Sequence, residues 1–128
     1  MKVRYSKARA RQGQEADPSF TLGNTYLVLG VRFQPEARPT MVIVQRDSDG
    51  TPVMVELRNF DVVDSAVPAD WCFSDFGGGS YALEPSAFAG DFWDRYHDAN
   101  PDAEKVYSQV VDVLAAFHAG VVPRAIDK

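Results

Sequence analysis

Cysteine is nearly absent from this chain of 128 residues, and long apolar runs are missing altogether. Cys72 is the single cysteine, so a disulfide framework is excluded and we expect a reducing, cytoplasmic location. The longest wholly apolar stretch, Tyr26 to Val31, is far shorter than the roughly 20 residues that cross a bilayer. No apolar block follows the basic N-terminus, so we expect neither a signal peptide nor a membrane partner.

Histidine is also scarce, which argues against a metal or hydrolytic centre. His97 and His118 lie 21 positions apart with no cysteine near either one, so they make no zinc signature, and we expect no cofactor. Ser80 follows three glycines and loosely mimics a nucleophile elbow, but that motif requires a larger parallel sheet. A small hydrolase therefore remains the least favoured of the functions considered.

Two glycine-containing segments resemble ligand loops but lack their essential residues. The run from Gly77 to Ser80 lacks the lysine of a phosphate-binding loop and leads into a strand-like segment. Asp47-x-Asp49-Gly50 resembles the start of a calcium loop, but Arg58 occupies the position that needs glutamate. Both segments are instead typical of turns, and the glycine-rich one is also a candidate binding loop.

Average composition, with 45% hydrophobic and 24% charged residues, predicts one globular domain, which we place at residues 20–128. Residues 1–19 are expected to form a basic, partly flexible N-terminal segment. The net charge is −5, but residues 1–11 carry +5 while residues 61–112 carry −9. An acidic surface repels nucleic acid and attracts basic proteins. We therefore expect a protein partner and no nucleic-acid partner.

Segments rich in β-branched and aromatic residues, one of them with a two-residue alternation, predict several short strands in the first two thirds of the chain. The predicted strands cover residues 25–33, 40–46, 53–57 and 60–64, followed by a hairpin that joins residues 71–73 and 80–83 around the glycine run. Gly30 indicates a bulge or bend in the first of them. Asp47 to Gly50 predicts a tight hairpin turn.

Near Pro85 the spacing of apolar residues changes from every second residue to about every 3.6 residues, which predicts two helices. The first is expected from Pro85 to about Tyr96. The second is expected to begin at Pro101, with Asn100 as its cap, and to stop at Gly120. The fold class is therefore α+β: a bent antiparallel sheet, or a small Src-homology-3-like barrel, of about five strands followed by two C-terminal helices. The predicted core comprises Tyr26, Val28, Val31, Val42, Val44, Val55, Leu57, Phe88, Phe92, Val106, Val110, Leu114 and Phe117.

Three acidic residues, Asp91, Asp94 and Asp98, share one face of the first predicted helix. They are candidates to oppose a basic partner, to hold a divalent cation, or simply to face water. Trp93 stands among them and is either a partner anchor or a core tryptophan that packs the helix onto the sheet. The candidate partner-binding residues are Asp75, Phe76, Tyr81, Asp91, Trp93, Asp94, Tyr96 and Asp98.

Several segments together resemble small bacterial immunity proteins of polymorphic or contact-dependent toxin systems, over residues 20–118. The segments that carry the resemblance are Leu22–Val31, the turn at Asp49-Gly50, Val55–Leu57, Phe60–Asp64, Pro68–Trp71, Phe92–Tyr96 and Asp98–Ala103. The resemblance implies a cytoplasmic antidote that binds a cognate toxin domain and blocks it. It transfers no individual functional residues.

The favoured function is therefore a non-catalytic immunity protein, as a monomer or weak dimer, whose acidic and aromatic surface binds a basic, nuclease-like toxin domain. The first alternative is a generic peptide- or protein-binding adaptor built on a small barrel. These two functions differ in their partners, since an antidote has one tight cognate and an adaptor has several weak ligands.

Overall fold

Strands form the first two thirds of the molecule and helices the last third. The computed structural model describes residues 1–6 and 19–120. Within these ranges lie eight strands and two α-helices, so the predicted α+β class is confirmed, with more strands than the expected five. The elements are β1 (Lys2–Tyr5), β2 (Thr25–Leu27), β3 (Gly30–Phe33), β4 (Met41–Gln45), β5 (Pro52–Glu56), β6 (Phe60–Asp64), β7 (Trp71–Gly77), β8 (Ser80–Pro85), α1 (Phe92–His97) and α2 (Pro101–His118).

The strands form two antiparallel sheets, and residues 25–33 contribute one strand to each of them. The three-stranded sheet has the order β2-β1-β6, and the five-stranded sheet has the order β5-β4-β3-β8-β7. The single strand predicted over residues 25–33 is therefore wrong, because β2 and β3 belong to different sheets. Val28 and Leu29 form the link between them, and the Leu29 N–H donates to the carbonyl of Ile43 at 2.7 Å. The bend expected at Gly30 thus falls at the residues just before it.

Residues 2–5 are part of the fold, although residues 1–19 were expected to form a partly flexible segment outside the domain. Lys2–Tyr5 pair with β2 on one side and with β6 on the other. Val3 is fully buried and Tyr5 is 4% exposed, because alternate side chains of β1 point into the core. The rest of the expected flexible segment, residues 7–18, lies outside the described residues.

Both predicted hairpins and the second predicted helix are confirmed. Asp47 to Gly50 joins β4 to β5, and the glycine run joins β7 to β8. The Asn100 side chain caps α2 by accepting a hydrogen bond from the Ala103 N–H at 3.1 Å. Gly120, with a φ of +76°, follows the end of this helix.

The first predicted helix is wrong over its first half. Pro85 ends β8, a 3-10 turn covers Ser86–Phe88, and α1 begins only at Phe92. Gly90 adopts a φ of +70°, which interrupts the helix. The apolar spacing misled the prediction because Phe88 and Phe92 do stack, at 4.6 Å between ring centroids, but across this break.

The core lies where the two sheets and the helices meet. The predicted core residues that are buried are Tyr26, Val28, Val31, Val42, Val44, Phe88, Phe92 and Leu114. Four others, Val55, Leu57, Val106 and Val110, are only partly buried against it. Phe117 is 40% exposed, so its assignment to the core is wrong. It lies in the last turn of α2, where the neighbouring His118 is the residue that faces the three-stranded sheet, 3.0 Å from Asp64.

Candidate functional site

The β7–β8 hairpin exposes large aromatic side chains. Phe73 is 61% exposed and Phe76 is 64% exposed. The Phe73 ring stacks on Tyr81 at 5.3 Å between centroids and lies 6.3 Å from the Phe33 ring. Asp75 is exposed beside them and pairs across the hairpin with Tyr81. We call Phe33, Phe73, Asp75, Phe76 and Tyr81 the hairpin patch.

The tip of this hairpin is held in a defined shape. Gly77, Gly78 and Gly79 all have positive φ, which side chains disfavour. Asp75 Oδ1 accepts a hydrogen bond from the Gly77 N–H at 2.8 Å. A Cβ added at Gly79 would lie 2.9 Å from Pro35 Cβ, so the tip packs closely on the loop after β3. The glycine run is therefore a structured turn.

The acidic residues of α1 are exposed, as a partner-facing surface requires. Asp94 lies within the helix, while Asp91 and Asp98 flank its two ends. Asp91 Oδ1 accepts a hydrogen bond from Arg95 Nε at 3.1 Å, an exposed pair that contributes little to stability. Within residues 1–6 and 19–120, no cluster of three or more His, Cys, Asp or Glu residues is arranged to hold a metal ion.

Trp93 and Tyr96, the two aromatic candidates in α1, are packed rather than free. The Trp93 indole Nε1–H donates to Glu84 Oε1 at 3.2 Å, and its ring lies 4.9 Å from both Phe88 and Phe92. Tyr96 lies 4.9 Å from Tyr107, and its burial is the largest cause of a raised Tyr96 pKa. For Trp93 the structure therefore supports the packing alternative over the anchor.

The candidate residues do not form one continuous surface. Side chains alternate along β8, so Tyr81 and Glu84 point to opposite faces of the sheet. Because Trp93 bonds to Glu84, α1 lies on the face opposite the Phe73–Tyr81 stack. The structure thus divides the predicted site into a hairpin group and a helix group. The hairpin group has Asp75, Phe76 and Tyr81, and the helix group has Asp91, Trp93, Asp94, Tyr96 and Asp98.

No family model, curated protein or solved structure matches this chain. The candidate site therefore rests on its own geometry and charge. Across the described ranges, no helix is both long and apolar enough to traverse a bilayer.

Two features of the site were missed by sequence reasoning. Phe73 was assigned only to a strand, although its alternation with Trp71 and Asp75 already placed these three residues on one face. The second feature is the buried carboxylate of Glu84, 3% exposed, which accepts a hydrogen bond from Arg32 Nη2 at 3.1 Å. The sequence signal for this buried carboxylate was the position of Glu84 between two apolar residues, Leu83 and Pro85.

Proposed function

We propose that this chain is a non-catalytic immunity protein that binds and neutralises a cognate toxin domain through the hairpin patch. The carrying observation is the pair of aromatic rings, Phe73 and Phe76, each more than 60% exposed on one hairpin. Exposed apolar patches on a folded domain commonly mark interaction sites, and aromatic anchors supply much of the binding energy at interfaces.

Charge supports a basic partner. Residues 61–112 carry −9, and this region includes Asp75 in the patch and the exposed acids of α1. Exposed charges mainly accelerate encounter, whereas a desolvated centre mainly slows dissociation. In this proposal the acids Asp91, Asp94 and Asp98 increase the association rate, and the aromatic residues of the hairpin decrease the dissociation rate.

This division of roles assigns no anchor role to Trp93, for which the sequence left an anchor and a core position both open. Its indole N–H is already bonded to Glu84, and its ring packs against Phe88 and Phe92. Phe73 and Phe76 have no comparable burial and can enter a partner's pocket without disturbing the core. A stable complex of this kind buries about 1,600 Å² in total.

The test is a titration against the domain encoded immediately beside this gene, in low and in moderate salt. We expect one-to-one nanomolar binding, an association rate that falls as salt rises, and loss of the toxin's activity at equimolar protein. Reversing the charge at Asp91, Asp94 and Asp98 should slow association and leave dissociation nearly unchanged. Absence of binding would contradict the proposal.

One observation favours the adaptor as a second candidate. β7 is an outer strand of the five-stranded sheet, and no described strand pairs with its far side. Free strand edges are used by peptide-binding modules. Weak binding to several unrelated peptides, with no tight cognate, would favour the adaptor over the antidote.

A further inference from the structure

β7 is an edge strand whose open part lies around Phe73. Its pairing with β8 is irregular between Asp75 and Gly77, and the Trp71 N–H already donates to the Pro68 carbonyl at 3.3 Å. β7 covers seven residues, the longest of the described strands, and it pairs only with β8 within residues 1–6 and 19–120. Exposed edges are normally protected by lysine, proline, a β-bulge or short length, because free backbone groups recruit other chains. β7 contains neither lysine nor proline, and Asp75 is its one charged residue. The opposite edge strand, β5, begins with Pro52 and has five residues.

A small apolar cleft opens beside the first residue of β7. It has a volume of about 110 Å³ and lies between the strand and α2. A cavity of about 150 Å³ holds a benzene molecule, so this cleft suits one aliphatic side chain. Its lining residues are Pro68, Asp70, Trp71, Pro85, Gln109, Val110, Val113 and Leu114. Val113, at 65% exposed, keeps the cleft apolar at its opening.

Three different chemical surfaces follow one another along one face of β7. Trp71, Phe73 and Asp75 are alternate residues, so they point to the same side of the sheet at steps of about 7 Å. Trp71 lines the apolar cleft, Phe73 presents an exposed ring, and Asp75 presents an exposed carboxylate. An extended peptide beside β7 would meet all three with its own alternate side chains.

We propose that the outer edge of β7 binds an extended, cationic segment of a protein partner as an added antiparallel strand. Every described pairing in this sheet is antiparallel, and the proposed strand continues that pattern. A strand running opposite to β7 first meets Asp75, then Phe73, then the cleft at Trp71. The matching segment therefore reads, from its N-terminus, a basic residue, any residue, an apolar residue, any residue, and an aliphatic residue.

Charge selects a basic partner over a second copy of this chain. Two copies that paired through β7 would bring Asp70 and Asp75 of both chains to one edge, and each copy carries −5 overall. Like charges on adjoining strands destabilise the pairing, whereas opposite charges stabilise it. A lysine or arginine on the added strand would instead neutralise the negative charge of this edge.

This inference deepens the proposed function and rests on it for the identity of the partner, but its test is independent of that identity. The probe is the synthetic peptide acetyl-Ser-Lys-Thr-Val-Thr-Leu-Ser-amide, titrated at millimolar concentration into the isotope-labelled protein. We expect shifted resonances and slowed amide exchange over residues 71–77, with β5 unchanged. A toxin domain that fails to bind while this peptide does would refute the antidote and leave the strand site standing.

Matched controls separate strand addition from general attraction. Replacing the peptide's lysine with glutamate should weaken binding about tenfold, and reversing its order should remove the effect at the cleft. Asp75→Asn keeps an acceptor for the Gly77 N–H and should weaken binding about threefold. Asp102→Asn removes an exposed charge from the first turn of α2, away from β7, and should leave binding unchanged. Absence of protection over residues 71–77, equal binding of the glutamate peptide, or dimers of the free protein joined through β7 would each overturn the proposal.

Discussion

Two of the aromatic groups in this molecule lie in opposite surroundings. Around the three-stranded sheet, Tyr5, Phe20, Tyr26 and Phe60 are all less than 9% exposed. Their rings lie 5.2 to 6.3 Å apart, several of them edge to face. At the hairpin patch, Phe73 and Phe76 are more than 60% exposed. We call the first group the inner cluster.

The difference shows what each group contributes. The inner cluster is surrounded on all sides and tied to polar partners, since the Tyr26 hydroxyl accepts from the Thr21 N–H and donates to Asp47. Removing a ring there leaves a cavity that the surroundings fill only in part. When a ring is removed from the hairpin, solvent takes its place and no cavity forms. The inner cluster therefore stabilises the fold, and the hairpin patch is available for a partner.

The largest expected effect is the loss of an inner ring. Phe60→Ala should lower the free energy of unfolding by about 3–5 kcal/mol, because a large side chain only 2% exposed is removed. Phe73→Ala, its counterpart at the hairpin, removes the stack on Tyr81 and should lower the free energy of unfolding by about 1 kcal/mol. Urea unfolding of the two variants measures both values. Similar losses in both would end the distinction between the two groups.

A comparable loss is expected at the buried ion pair beneath α1. Glu84→Leu removes the acceptor of both Arg32 and Trp93 and should cost about 3–5 kcal/mol, because the Arg32 guanidinium is left largely buried without a partner. The double variant Glu84→Leu with Arg32→Met should recover much of that loss. Thermal unfolding of the single and double variants tests this, and additive losses would contradict it.

A smaller effect is expected at the hairpin tip. Gly78→Ala and Gly79→Ala both place a side chain at positive φ, which costs about 1–2 kcal/mol. Only Gly79 also faces Pro35 Cβ, at 2.9 Å from an added Cβ, so its variant should lose about 1–3 kcal/mol more. Equal stabilities, measured by urea unfolding, would show that the tip does not pack on this loop.

The smallest effect concerns Tyr107, whose hydroxyl donates to the Gly50 carbonyl at 2.9 Å. Tyr107→Phe should cost about 1 kcal/mol at pH 7. Burial raises the pKa of Tyr107 well above its ordinary value of 10.0. Folding therefore favours the neutral phenol, and the stability linked to this group is present below pH 10 and is lost as pH rises above it.

The pH dependence supplies the control for this prediction. Between pH 10 and pH 11 the native protein should lose stability faster than the Tyr107→Phe variant, so the gap between them should narrow or reverse. Chemical unfolding at pH 7, 10 and 11 measures that gap. A constant gap would show that the phenol is not shielded from water.

Local signals in the sequence predicted the parts of the fold that depend on local chemistry. The turn at Asp47 to Gly50 and the Asn100 cap of α2 follow from residues adjacent in sequence. The division of residues 25–33 between two sheets depends on pairing with distant strands, which a local pattern does not encode. Likewise, apolar spacing alone could not show that Phe88 and Phe92 stack across a break at Gly90.

The candidate site was predictable to a similar degree. Asp75, Phe76 and Tyr81 were identified because they surround the glycine run, and they do lie together. Phe73 was missed because alternation shows which residues share a face of the sheet but not whether another element covers that face. Trp93 was ambiguous for the same reason, since its partner Glu84 lies on a different element.

The most direct test of the hairpin patch as the binding surface is the dissociation rate of the complex with the domain encoded beside this gene. The double variant Phe73→Ser with Phe76→Ser should raise that rate at least 100-fold, since hot-spot residues contribute about 2 kcal/mol or more each. The matched variant Asp94→Asn with Asp98→Asn should slow association and leave dissociation nearly unchanged. Unchanged dissociation in the hairpin variant, or a larger rise in the α1 variant, would contradict the account.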